Sequence, residues 1–212
     1  MIYLSDLSVK NQTSLGLYET IINYMKSKII NAELILQTLQ KGQVIAYPTE
    51  AVLGLGCDPD NEDAVQMLLA LKERPVDKGL ILVAKTYSQL LPYVDDTKIP
   101  MYMRTEIFSS WPGPVTWLLP ASKQSSKWVT GGSDLIAVRV SQHLVISQLC
   151  DLFGKPLIST SANVSGAKPA MNAQQLYQQF DKTILLVDGA LGGAIKPSQI
   201  RHGVSGQTIR DI

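Results

Sequence analysis

The chain is poor in the residues from which many catalytic and metal sites are built. Its two cysteines, Cys57 and Cys150, stand far apart, with no paired spacing and no His or Cys neighbours. That excludes a zinc-type cluster and leaves reduced thiols packed in a core as the expectation. The two histidines, His143 and His202, carry no local signature of a Ser-His-Asp arrangement. The sequence has no G-x-x-x-x-G-K-[ST] loop and no G-x-S-x-G elbow, and Gly54-Leu55-Gly56 lacks the third glycine of a dinucleotide fingerprint. No apolar run approaches the length needed to cross a bilayer, and Asp6, Lys10 and Glu19 interrupt the region where a signal peptide would be uniformly apolar. A soluble, cytoplasmic protein is expected. Charge of one sign is missing too: 19 basic against 18 acidic residues give a net +1, which argues against a broad nucleic-acid-binding surface but not against a local groove.

With 212 residues, 45% of them hydrophobic, the chain is long enough for one good core and short for two, so one domain is expected. Its organising stretch runs over 44–84. A short apolar run, 44–47, is stopped by Pro48 and delivers Thr49 and Glu50 to a loop at the strand's carboxyl end, where ligands sit in open α/β sheets. A glycine-rich turn at Gly54 and Gly56 follows. Asn61 then caps a helix whose apolar residues recur at Ala64, Val65, Leu68, Leu69 and Leu71. Lys72 and Arg74 stand at the helix exit, Pro75 ends it, and Lys78 precedes a second apolar run, 80–84. Lysines and arginines in a last turn ordinarily complement the helix end and face water. A second polar stretch after an apolar run, Ser159-Thr160-Ser161-Ala162-Asn163, raises the alternative of one shared anion site.

Strand and helix patterns alternate through the rest of the chain, without repeats or low-complexity tracts. The spacing predicts a helix after Asn31 ending at Gly42, helices near 86–91 and up to Phe108, and a strand over 115–119 after the WPGP break. The polar segment 121–134 reads as a mobile loop and the glycine-rich 189–198 as a flexible connection or lid. Helices are expected over 143–153, closed by Gly154, and after Asn172, with a strand at 183–187. In the strand LIAVRV, 135–140, Ile136, Val138 and Val140 share one face and Arg139 stands on the other. An arginine in so apolar a strand wants an anion; either a ligand or a carboxylate beside an edge strand would serve. The pattern is an α/β single domain, with strand directions left open.

Cations, hydroxyls and an amide remain as the chemistry-bearing set: Lys72, Arg74, Lys78, Arg139, Thr49, Ser159, Ser161 and Asn163. Such a set suits phosphoryl or nucleotidyl transfer, in which catalysis is mainly positioning and charge stabilisation. A bare S-x-N is more often a local turn.

Taken in order, YPTEAVLGLGCDPD, Lys72-Glu73-Arg74 with PVDKGL, WPGPVT, LIAVRV, STSAN-x-SG and PSQIR resemble the YrdC/TsaC family, the threonylcarbamoyl-AMP synthases, in the short bacterial form. The motifs span Ile45 to about Gly166, extended by 197–201 and Arg210. Residues 1–24 precede every motif and read as an N-terminal extension, with Met25 as an alternative start and a YrdC-like domain over 25–212.

The resemblance implies a twisted mixed β-sheet flanked by helices around a concave, positively charged cavity. It implies synthesis of L-threonylcarbamoyladenylate and pyrophosphate from L-threonine, bicarbonate and ATP, with Mg²⁺ on the phosphates. A downstream threonylcarbamoyl transferase complex would use the product to modify tRNA adenosine 37. By position, Thr49, Arg139, Ser159 and Ser198 would contact threonine, Arg139 on its carboxylate. Lys72, Lys78, Ser161, Asn163, Pro169 and Arg210 would contact ATP, with Lys72 and Arg74 carrying catalysis. Direct contact with tRNA stays open, and so do two other readings: an RNA-binding or ribosome-maturation factor using the groove without catalysis, and a relative binding nucleotide but not threonine.

Overall fold

A computed structural model describes residues 31–211. The chain divides into two units, Met1–Leu34 and Ile35–Ile212. Of the first, residues 31–34 are described and are helical, so Asn31 lies within a helix rather than capping one; the expected extension, 1–24, and Met25 lie outside the described residues.

The second unit opens with helix α1 (35–40), which ends in a turn at Gly42 as expected. Strands β1 (Ile45–Pro48) and β2 (Leu53–Gly56) form an antiparallel hairpin, Tyr47 opposite Gly54. The glycine-rich turn expected at 54–56 is therefore a strand. Its glycines are explained by packing: a Cβ on Gly56 would lie 2.3 Å from the Ile158 carbonyl oxygen and 2.8 Å from the Tyr47 ring. The fully buried Tyr47 lies over both glycines, and its hydroxyl donates to the Ile158 carbonyl at 3.2 Å.

Helix α2 (Glu62–Leu71) follows, and the Asn61 side chain caps it by accepting from Ala64 N at 3.0 Å. Next come β3 (Ile81–Ala84), α3 (Tyr87–Leu90) and α4 (Met101–Ser109). Strand β4 (Val115–Pro120) leads to α5 (Lys127–Thr130) and β5 (Leu135–Val140). The segment expected as a mobile loop thus carries a helical turn, pinned where the buried Val129 accepts from Leu80 N at 2.8 Å. Helix α6 (Leu144–Phe153) closes at Gly154, whose φ of 76° permits the left-handed cap. The chain continues through β6 (Leu157–Ser161), α7 (Ala173–Gln179, capped by Asn172) and the short β7 (Leu185–Leu186). Strands β8 (Gln199–His202) and β9 (Thr208–Arg210) end it.

Among the described residues the strands form one nine-stranded sheet, ordered β7-β1-β2-β6-β3-β5-β4-β8-β9. It is mixed: β1–β7, β3–β5 and β4–β8 pair parallel, and the other neighbours pair antiparallel. Both faces are apolar, as strand alternation requires. On one, Ala46, Leu82, Val138 and Ile158 pack with residues of α2, α3, α4 and α7. On the other, Ile45, Tyr47, Val83 and Leu157 pack with Leu39 of α1 and with Val145, Ile146, Leu149 and Cys150 of α6. Cys57 and Cys150 are free and buried, as expected, and burial pushes the Cys150 thiol up to about 12.

Among the described residues, that second face is covered only in part. Along β3, Val83 lies beneath the helices while Ile81 does not; along β6, Leu157 is covered while Ser159 and Ser161 are not. The uncovered remainder is the floor of a cavity.

Candidate active site

The cavity has a volume of about 610 Å³, within the range of small-molecule sites. Ile81, Ala137, Leu118 and Ile200 give it an apolar floor, and its lining includes five basic residues, Arg74, Lys78, Arg139, Lys196 and Arg210, against two acidic ones, Glu50 and Asp77. It spreads over the sheet face towards the amino ends of β3 and β5, so the carboxyl-end rule applied to β1 does not describe it. In a mixed sheet, strands reach one site from opposite directions. Thr49 and Glu50 do arrive from the end of β1, and Ser159 and Ser161 from β6, while Arg139 stands near the carboxyl end of β5, beside Val83.

Arg139 is 8% exposed, on a strand held between β3 and β4 rather than at an edge. It has found a protein carboxylate: a terminal nitrogen donates to Glu50 Oε2 at 2.9 Å, and Ser141 Oγ donates to Glu50 Oε1 at 2.6 Å. Burial pushes the Glu50 carboxyl up, but the Arg139 charge and these two hydrogen bonds together outweigh it and hold the group below the usual range. Ser159, 9% exposed, lies beside Tyr47, whose hydroxyl interacts with it. Thr49 Oγ1 donates to the Val52 carbonyl at 2.7 Å, closing the hairpin loop on itself.

Arg74 is fixed by Gly79, whose carbonyl accepts from its Nε at 3.3 Å and from a terminal nitrogen at 2.9 Å. Burial, then the nearby Arg210 charge, lower its proton affinity; burial does the same to Arg210. Two like charges thus face one space. Arg210 donates to the Ser198 carbonyl at 2.6 Å, and the Ser198 hydroxyl is bonded to the fully buried Thr116 at 2.8 Å. Ser198 belongs to the 189–198 strap, which has no regular structure but is fastened to the hairpin loop: Gly192 N donates to the Thr49 carbonyl at 3.0 Å and Ala194 N to the Glu50 carbonyl at 2.7 Å.

The structure gathers Thr49, Arg74, Lys78, Arg139, Ser159, Ser161, Pro169, Ser198 and Arg210 around one cavity. It does not put Lys72 or Asn163 on that surface. Lys72, 3% exposed, is turned inward, donating to the Asn163 carbonyl at 2.7 Å and also to that of Ser161. Burial, and after it the Arg74 charge, lower its pKa from 10.5 to about 8. The Asn163 amide donates to the carbonyls of Val164 and Ala167, and its Oδ1 accepts from Ser161 Oγ at 2.6 Å. The S-x-N is a local turn, with the helix-exit lysine locked beneath it. Sequence reasoning missed Ser141 and Thr116, which hold Glu50 and Ser198. No local signal marks them, since their partners lie 91 and 82 positions away.

Comparison with known proteins gives the family. The family model Sua5/YciO/YrdC, described as "Telomere recombination", matches residues 37–211. The chain belongs to the Sua5/YciO/YrdC family. It is 65% identical over 170 residues to the threonylcarbamoyl-AMP synthase of Pseudoalteromonas atlantica, covering 80% of this chain and 91% of that one. Among solved structures it resembles P. abyssi Sua5 complexed with L-threonine, at 31% identity and a TM-score of 0.73 over 81% of this chain and 50% of the other. The chain thus spans about half of that longer protein. E. coli YciO shares the fold, at 21% identity and a TM-score of 0.65 over 85% of this chain and 91% of the other.

Proposed function

We propose that the chain is an L-threonylcarbamoyladenylate synthase acting in the cytoplasm, using L-threonine, bicarbonate and ATP and passing its product to a threonylcarbamoyl transferase for modification of tRNA adenosine 37. The reading rests above all on the 65% identity across 91% of the Pseudoalteromonas atlantica synthase. The cavity supports it: Arg139 stands towards one end of the floor strands and Lys78 before the other, room for a carboxylate and a phosphate chain together.

In this reading the threonine carboxylate lies on Arg139, near Thr49, Ser159 and Ser198. The amine takes up bicarbonate with loss of water. A carbamate oxygen then bonds to the α-phosphorus of ATP as the α–β bridge breaks, and its electron pair leaves on pyrophosphate. Arg74, Lys78 and Arg210 balance the phosphate charge, Ser161 and Pro169 contact the nucleotide, and Lys72 and Asn163 hold the turn that presents Ser161. No protein nucleophile is required. Among the described residues no cluster of three or more His, Cys, Asp or Glu could hold a metal ion. Mg²⁺ fits as an ion carried in on the phosphates, whose charge it shields.

Pyrophosphate release measured with ATP, Mg²⁺, bicarbonate and L-threonine, leaving out one component at a time, tests the proposal. Release should require all three substrates. Release without threonine, or none with the full set, would defeat it.

A further inference from the structure

We infer that Glu50 is a positioning residue for the threonine end of the site: its carboxylate aims the Arg139 guanidinium and its backbone fastens the strap that carries Ser198. The inference rests on the reading above, in which Arg139 takes the threonine carboxylate.

Three parts of the fold meet at Glu50. Its Oε2 accepts from one terminal nitrogen of Arg139 at 2.9 Å. A guanidinium carries five N–H groups, so a bond to one nitrogen orients the plane and leaves other donors for a ligand carboxylate. Its Oε1 accepts from Ser141 Oγ, and the Ser141 Oγ in turn accepts from His143 N at 3.0 Å, which ties the carboxylate through the serine to the start of α6. Its carbonyl accepts from Ala194 N in the strap. The strap lies hard against it, since a Cβ on Gly192 would stand 2.9 Å from the Glu50 Cα.

Only a carboxylate satisfies both side-chain partners. An amide has one oxygen and one NH₂ group. With its NH₂ towards Arg139, donor faces donor. With its NH₂ towards Ser141, the serine hydroxyl, already accepting from His143 N, loses the acceptor for its own proton. Glu50→Gln therefore keeps the size of the side chain and loosens the aim.

Calorimetric titration of wild type and Glu50→Gln with L-threonine and, separately, with a non-hydrolysable ATP analogue tests this, alongside steady-state pyrophosphate release. Loss of one charge-assisted hydrogen bond should weaken threonine binding and raise its KM about tenfold, while ATP-analogue affinity moves less than about twofold. Hydrogen exchange at the Gly192 and Ala194 amides should quicken. A folded Glu50→Gln protein that binds threonine as well as wild type, or better, overturns the inference; better binding would make Glu50 a competitor for Arg139. Wild type that binds no threonine defeats the functional reading and this inference with it. If Glu50→Gln does not fold, Ser141→Ala keeps both charges and removes the bond to Oε1 together with the acceptor of His143 N; threonine affinity should fall about threefold with ATP binding unaltered, and equal affinity overturns the inference.

Discussion

An ammonium group enclosed by protein is held by its hydrogen bonds and opposed by its burial, and Lys72 shows both. Its bonds to the Ser161 and Asn163 carbonyls join the end of α2 to the end of β6. Lys72→Ala would leave the Asn163 carbonyl without the lysine and the Ser161 carbonyl with Asn163 N alone, so stability should fall by about 1–3 kcal/mol in urea denaturation. Turnover should fall roughly a hundredfold as Ser161 shifts. A catalytic loss with unchanged stability would mean that Lys72 acts on substrate directly. Its pKa supplies a second test. Between about 8 and 10.5 the unfolded chain holds a proton that the folded chain has released, so unfolding free energy from this residue rises with pH across that window. The stability difference between wild type and Lys72→Met should therefore grow in favour of wild type from about pH 7 to about pH 9.5. Arg139→Lys keeps the charge but loses the planar fork. Threonine affinity should fall about ten- to hundredfold by calorimetry with ATP-analogue binding nearly intact, and equal losses of both would remove Arg139 as the carboxylate anchor.

At the scale of elements, the β1–β2 hairpin determines how closely the sheet can pack beside the site. Gly56 lies against both the Tyr47 ring and the Ile158 carbonyl, with no space for a methyl group. Gly56→Ala must push β2 from β6 or displace Tyr47, and overpacking of this kind costs about 1–3 kcal/mol. Urea denaturation should show that loss, and an unchanged midpoint would mean the strands separate freely. Because β2 also pairs with the end of β6, opposite Thr160 and Ser161, the same substitution should weaken ATP-analogue binding.

For the whole molecule, the site exists because, among the described residues, helices cover one sheet face more fully than the other. Every motif of the sequence lies at or after Ile45. A chain beginning at Met25 is expected to fold with the same melting temperature and to retain ATP-dependent pyrophosphate release. Loss of release with folding intact would place residues 1–24 in the site.

Local chemistry alone was enough for much of this protein. Asn61 and Asn172 cap helices because a side-chain oxygen reaches an amide three residues on, and the alternation in 135–140 puts Arg139 opposite three apolar residues whatever surrounds the strand. The ordered motifs also led to the family. Other features depend on partners distant in the chain. The glycines at 54 and 56 make a strand because Tyr47 and Ile158 fill the space beside them, and 121–134 is ordered by a bond to Leu80. Lys72 has the pattern of a solvent-facing helix-end lysine until β6 brings two carbonyls over it, and the pattern around Arg139 suits a ligand or a protein carboxylate alike until the hairpin loop delivers Glu50 from 89 positions away. Capping and alternation are settled within a few residues. Which charge meets which partner is settled by strand order, which only the folded sheet determines.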